Sequence, residues 1–264
     1  MALTPTFYPD RNLVQLVLDG AGTGWSTATA ATITRSVAGA SPVPVRGVER
    51  RPVVGGVLVW SDNEAPMDAS VVYAATGVGP DTPVALTGTA ATTGAAWGLW
   101  LKPPGRADLN CRVGLLDAGD MGQDDVGGSW TIPGGGRVSE SAGLAPLTTT
   151  LSVQVDDADG LAAVRAAITQ APGRVLLLQT GQPEELPSGY YHVTSVSQAN
   201  PGQLRSDLLG YRTLSIQVEA VDMPAGDSTG FSGVSHAVIA ATFASHQEIK
   251  DRGLTHLDLA TGNW

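Results

Sequence analysis

Thr150-Leu151-Ser152-Val153-Gln154-Val155-Asp156 alternates apolar and polar residues along its length, and Thr213-Leu214-Ser215-Ile216-Gln217-Val218-Glu219 repeats it almost residue for residue. In each, a Leu and two β-branched residues fall on one face, with Ser and Gln on the other. A period of two is that of a half-buried strand, so the two segments read as strands meeting the same core. Between them, Val175-Leu176-Leu177-Leu178 is apolar on both sides, which predicts a strand central in its sheet. Just before it the spacing changes to that of a helix. Leu161, Val164 and Ile168 share one face, Asp159 is placed to cap the free N–H groups, and Pro172-Gly173 ends the run. The prediction is a helix over 160–171 lying on that strand, with a further strand at Tyr190–Val196.

Toward the N-terminus the same alternation continues. Strands are expected at Leu147–Val155, Leu109–Leu116 and Trp97–Leu101, with a loose, acidic, Gly-rich excursion from Asp117 to Gly136. Earlier still, Leu13–Leu18, Thr29–Arg35, Val57–Trp60, Ser70–Ala75 and Val84–Thr87 follow one another, separated by turns such as Ser61-Asp62-Asn63-Glu64-Ala65-Pro66. Short strands at this spacing, without a helix, predict an immunoglobulin-like or fibronectin type III-like sandwich over residues 1–90. Thr87 to Ala96 carries only small side chains and reads as the boundary to a second, β-rich domain over 91–224. Residues 225–264 are too few for a core of their own. Yet Phe243, Ile249, Leu254, Leu257, Leu259 and Trp264 are too apolar to remain in water, so they are candidate assembly contacts of an extended arm seated on a neighbour.

The composition narrows the function. Of 264 residues, 42% are hydrophobic and 15% charged, which excludes a disordered chain; Gly (33) and Pro (17) exclude a coiled coil. The net charge of −10, with Lys102 and Lys250 the sole lysines, is the opposite of what a duplex-binding surface needs, although acidic walls let DNA slide past without sticking. No apolar run is long enough to span a bilayer, so no membrane insertion is expected. The N-terminus carries no basic leader or apolar core, and Cys111 is alone, so the expectation is a chain made and folded in a reducing cytoplasm, with Cys111 a small buried hydrophobe.

No constellation of catalytic residues is apparent. His192 sits in a strand-like run, and His246 and His256 have no partner at zinc spacing; His236 is isolated. Neither a nucleophile elbow nor a phosphate loop occurs. Asp156, Asp157 and Asp159 suit helix capping better than a calcium loop, whose first and twelfth positions would be Val155 and Ala166. Asp117, Asp120, Asp124 and Asp125 form the other acidic cluster, a candidate for a hard cation. The expectation is a protein without catalytic turnover, cofactor or assigned metal.

Three stretches resemble a known family. Ile33-Thr34-Arg35 through Pro44-Val45-Arg46-Gly47, with Asp62-Asn63-Glu64-Ala65-Pro66 and Val71-Val72-Tyr73-Ala74-Ala75, is similar to the opening sandwich of minor tail proteins, of distal-tail type, from long-tailed bacteriophages of actinobacteria. Trp100-Leu101-Lys102-Pro103 with Leu109-Asn110, then the helix and Leu176-Leu177-Leu178-Gln179, resembles their tail-tube-like domain. Phe243-Ala244-Ser245-His246 to Thr255-His256-Leu257-Asp258-Leu259 resembles their C-terminal arm, which usually carries Trp at His246 and His256. The resemblance implies a virion protein forming a threefold or sixfold ring at the tail end. Such a ring joins the tail tube to host-facing tail-tip proteins around a lumen for DNA. The competing reading is a carbohydrate-binding β-sandwich using some of the six Trp residues to stack sugars.

Overall fold

The computed structural model describes residues 2–20, 24–81, 83–94, 98–131, 137–181, 186–199, 212–222 and 224. The chain is mainly β, with one α-helix among the described residues, and divides into two compact units. Residues up to 96 together with 102–111 belong to the first, and 97–101 with 112–224 to the second.

The first unit holds eight strands: β1 (Ala2–Tyr8), β2 (Leu13–Asp19), β3 (Ala30–Ser36), β4 (Val43–Pro44), β5 (Arg51–Pro52), β6 (Val57–Asp62), β7 (Ser70–Val78) and β8 (Leu86–Ala91). One sheet runs β1-β2-β6; the other runs β4-β3-β7-β8, with β5 also on β3. Alternation decides which side chains face the shared core. Val14, Leu16 and Leu18 come from β2, Ala31 and Ile33 from β3, and Val71, Tyr73 and Ala75 from β7, all buried in one cluster. Trp25 sits fully buried in the turn after β2 and donates its indole N–H to the Val84 carbonyl at 2.8 Å. The slot for it depends on missing side chains: a Cβ on Gly20 would lie 2.2 Å from the Trp25 Cβ, and one on Gly77 2.9 Å from the ring.

Two expectations for this unit need correction. Strand β1 precedes the segment read as the first strand. Pro5 disguises it, but β1 pairs only with β2, so a residue without an N–H is tolerated at this edge. The expected strand Val84–Thr87 lies at Leu86–Ala91 instead, so half of the Thr87–Ala96 stretch read as a domain boundary is a paired strand, with Ser70↔Ala91 through Ala75↔Leu86 in register with β7, and the opening run of the first unit extends to Ala96. Its small residues permit close approach rather than marking slack chain. A Cβ on Gly88 would fall 2.3 Å from the Leu3 carbonyl oxygen.

The second unit contains β9 (Gly98–Lys102), β10 (Cys111–Asp117), β11 (Asp125–Thr131), β12 (Arg137–Leu144), β13 (Thr148–Val155), α1 (Ala158–Gln170), β14 (Val175–Thr180), β15 (Gly189–Ala199) and β16 (Arg212–Val221). Six strands close a barrel in the order β10-β13-β16-β15-β14-β9. The two similar heptapeptides are direct antiparallel neighbours in it, with Leu151 opposite Ile216 and Val153 opposite Leu214. Leu151, Val153, Val155, Leu214, Ile216 and Val218 are all buried, so both strands do meet one core. Leu176, Leu177 and Leu178 are buried on both faces of β14, which α1 contacts.

Helix α1 starts two residues before the expected position. Its cap is Asp157, whose carboxylate accepts from the Gly160 N–H at 2.7 Å, while Asp159 lies in the first turn. The extended backbone of Asp157 lets its side chain reach back to the free donor, whereas Asp159 is already helical. Val164, Ala167 and Ile168 are buried on its inner face, and Leu161 is half-buried. The excursion expected to be loose from Asp117 to Gly136 also contains regular structure. Strands β11 and β12 form a two-stranded ribbon, with Trp130 opposite Val138 and Ser129 opposite Ser139. Gly-rich composition masked its period in the sequence. No helix among the described residues is long and apolar enough to cross a membrane.

Candidate functional site

The chemistry of the first unit concentrates at a buried ion network. Asp62 ends β6 and falls on the same face as Leu58 and Trp60, at i, i+2 and i+4, so the alternation that buries Leu58 also takes a carboxylate out of water. A buried carboxylate needs compensation from donors and opposite charge. Arg35, on β3, donates Nη1–H to Asp62 Oδ1 at 2.7 Å and Nη2–H to Glu64 at 3.3 Å. The Tyr73 hydroxyl, on β7 directly opposite Arg35, donates to Asp62 Oδ2 at 3.0 Å, and the Glu64 N–H donates to Oδ1 at 3.0 Å. Glu64 in turn accepts from Arg46 Nε. Trp60 donates its ring N–H to the Arg46 carbonyl at 2.9 Å, and the Arg51 guanidinium stacks 4.7 Å from its ring centre. Sidedness thus joins β3, β6 and β7 through one carboxylate.

Lys102 extends the network from the segment 102–111. Its side chain is fully buried, and Nζ donates to the Asn12 carbonyl at 2.5 Å. The same segment is fastened a second time at Asn110. Its side-chain amide donates to the Arg11 carbonyl at 2.8 Å and to the Asn63 side chain at 2.5 Å. Arg11 Nη1 donates back to the Asp108 carbonyl at 2.5 Å. Consecutive carbonyls of the β1–β2 turn, held where Asn12 has a positive φ of 47°, therefore receive donors from both ends of the returning segment.

Burial sets the proton affinities. It pushes the Asp62 carboxyl up, and the Arg35 guanidinium pulls it only partly back. For Arg35 itself burial opposes the charge, but Asp62 and Glu64 together outweigh it and raise the pKa. Burial and then the Asp62 carboxylate hold the Tyr73 phenol protonated well above its ordinary range. Lys102 is lowered to about 7 by burial, despite the attraction of Asp62 and Glu64. Asp62 and Lys102 are shut off from solvent, and the partly buried Arg35, Arg46 and Glu64 surround Asp62 with alternating charge. The network's chemical capacity is that of a fastening between strands and the 102–111 segment.

The candidate residues read from the sequence lie elsewhere. Phe243, Ile249, Leu254, Leu257, Leu259 and Trp264, like His236, His246 and His256, are outside the described residues. Asp117, Asp120 and Asp124 are exposed, and no group of three metal-ligating side chains is assembled among the described residues. Asp156 accepts from the Gln154 side chain, and Asp157 caps α1. Cys111 is half-buried rather than buried, and burial pushes its thiol up to about 12, which suppresses the thiolate. His192 is half-buried on β15 between Val175 and Glu219.

Sequence reading missed the network because it placed Asp62 in a turn. The available signal was that Asp62 continues the Leu58–Trp60 alternation. For Lys102 it was a lone lysine closing an apolar strand. No protein-family model matches the chain, and comparison with curated proteins returns no match.

Proposed function

We propose that this protein is a structural component of a bacteriophage tail tip: a distal-tail-type minor tail protein that forms a ring, threefold or sixfold, joining the tail tube to host-facing tail-tip proteins. The observation that carries the reading is the succession of two β units of different construction. A sandwich with strand order β1-β2-β6 over β4-β3-β7-β8 is followed by a closed six-stranded barrel bearing one helix and a projecting strand ribbon. The first order supports a fibronectin type III-like reading, with Tyr73 on β7 bonded across to Asp62 on β6. The second, a closed barrel with one packed helix, supports the tail-tube-like reading that the resemblance implies. Net charge −10 suits a lumen through which DNA passes without binding. On this reading the protein resides in the virion tail, works by assembly without turnover, and uses residues 225–264 as an arm toward a neighbour.

The carbohydrate-binding alternative draws on the six Trp residues. Among the described side chains, Trp25 and Trp100 are buried and the Trp60 ring is covered by Arg51, so none of these three presents a free stacking face. The test is native mass spectrometry of the purified chain together with class-averaged electron micrographs. A ring of three or six copies is expected. A monomer at every concentration, with no ring in the images, refutes the proposal.

A further inference from the structure

The barrel unit carries two unlike surfaces. At the first, where the ribbon leaves the barrel beside β10, Leu116, Met121, Val126 and Leu144 are 40–67% exposed. Backbone pairing gathers them. Asp125 is opposite Leu144, the Ala145 N–H donates to the Asp124 carbonyl, and Gly122 bridges Thr148. Exposed carboxylates of Asp117, Asp120 and Asp124 are interleaved with these apolar side chains and make no ion pair among the described residues. The chain from 113 to 136 contains four Asp and no Lys or Arg, between Arg112 on β10 and Arg137 on β12.

The second surface is formed by α1, the turn after it and β15. Arg165 and Arg174 are both exposed, and the one acidic side chain of α1, Asp159, lies in its first turn, six residues before Arg165. Arg165 donates to the Gln198 side chain on β15 at 2.9 Å, and Val196, two residues away on the same face of the strand, is 42% exposed. In the barrel order β10-β13-β16-β15-β14-β9, β15, which Arg165 reaches through Gln198, lies three strands from β10 in either direction, while α1 itself also packs on β13. The acidic apolar surface beside β10 and the Arg165 contact on β15 are therefore separate regions of the barrel unit. Neither is complementary to itself, because carboxylates would meet carboxylates and arginines arginines. They are complementary to each other, and a rigid unit with two such flanks associates head to tail.

We infer that these two flanks are the junction between copies of this chain: the Asp120/Asp124 surface of one protomer, with Met121 and Leu144, receives the Arg165/Arg174 surface of the next. The inference rests on the ring reading and specifies its contact. Exposed apolar side chains supply the area, and the charges select orientation, so that the contact propagates in one direction around a ring.

The test uses the full chain and two charge-reversed variants, D120K/D124K and R165E/R174E, with urea midpoints confirming that each remains folded. Each variant alone is expected to self-associate at least about tenfold more weakly than the parent chain. The quadruple variant restores assembly, because every junction then pairs opposite charges, and an equimolar mixture of the two does so in a ring of six, where they alternate. If the parent chain assembles and both variants assemble equally well, these flanks are not the junction, while the ring reading stands. Restoration absent from both the mixture and the quadruple variant also overturns the pairing. A parent chain that stays monomeric removes the ring reading and this inference with it.

Discussion

Replacing Lys102 by Met separates the charge of a buried ammonium from the volume of its stem. In the folded chain the amine titrates near 7, against 10.5 for a lysine in water. Between those values the unfolded chain holds a proton that the folded chain has released, so stability rises with pH across the window. Below pH 7 the lysine is charged in both states and contributes no slope. Each pH unit is worth about 1.4 kcal/mol, and the full window about 5 kcal/mol. Lys102→Met lacks this linkage, and methionine of similar length refills the site. Urea unfolding followed by tryptophan fluorescence at pH 6, 7, 8 and 9 gives the difference between the two proteins. The parent chain is expected to gain on the variant by roughly 2–3 kcal/mol from pH 7 to 9, with little change from 6 to 7. Other titrating groups occur in both proteins and drop out of the difference. Parallel stability curves for the two chains would refute the buried-ammonium account.

Asp62→Asn leaves Arg35 buried beside a neutral amide and is expected to lower stability by about 3–5 kcal/mol in chemical denaturation, whereas Tyr73→Phe, which removes one hydrogen bond to a charge, costs about 1.5–3 kcal/mol. Asp157→Ala is expected to cost about 1 kcal/mol of barrel-unit stability, and Asp159→Ala a few tenths, by thermal unfolding; the reverse order would move the cap to Asp159. Deleting residues 226–264 should preserve the melting of both units but prevent ring or tail-tip assembly, measured by native mass. An unchanged oligomer that still joins the next tail component would remove the arm from assembly.

Much of the β architecture was legible because strand alternation is local. Leu13–Leu18, Ser70–Ala75, Thr150–Asp156 and Thr213–Glu219 each carry their two-residue period within the segment, as α1 carries its helical period. What escaped depends on partners distant in sequence. Strand β1 accommodates Pro5 because it ends its sheet, pairing with β2, and β8 is built from small residues because Leu3 and Pro5 of β1 come close to Gly88. The ribbon β11–β12 has a register but scarcely a pattern, since glycine and serine occupy six of its fifteen positions and interrupt the alternation.

The ion network shows the same division. Composition and charge balance are read from the chain alone: a net charge of −10 and two lysines, Lys102 and Lys250. Whether a particular charge is solvated is another matter. Asp62 and Lys102 look like ordinary turn and strand-end residues until β3, β6, β7 and the 102–111 segment are brought together around them. Periodicity is a property of neighbours along the chain, so sequence carries it. Desolvation is a property of everything packed around a group, from positions tens of residues away, so only the tertiary structure decides which charges are buried and what answers them.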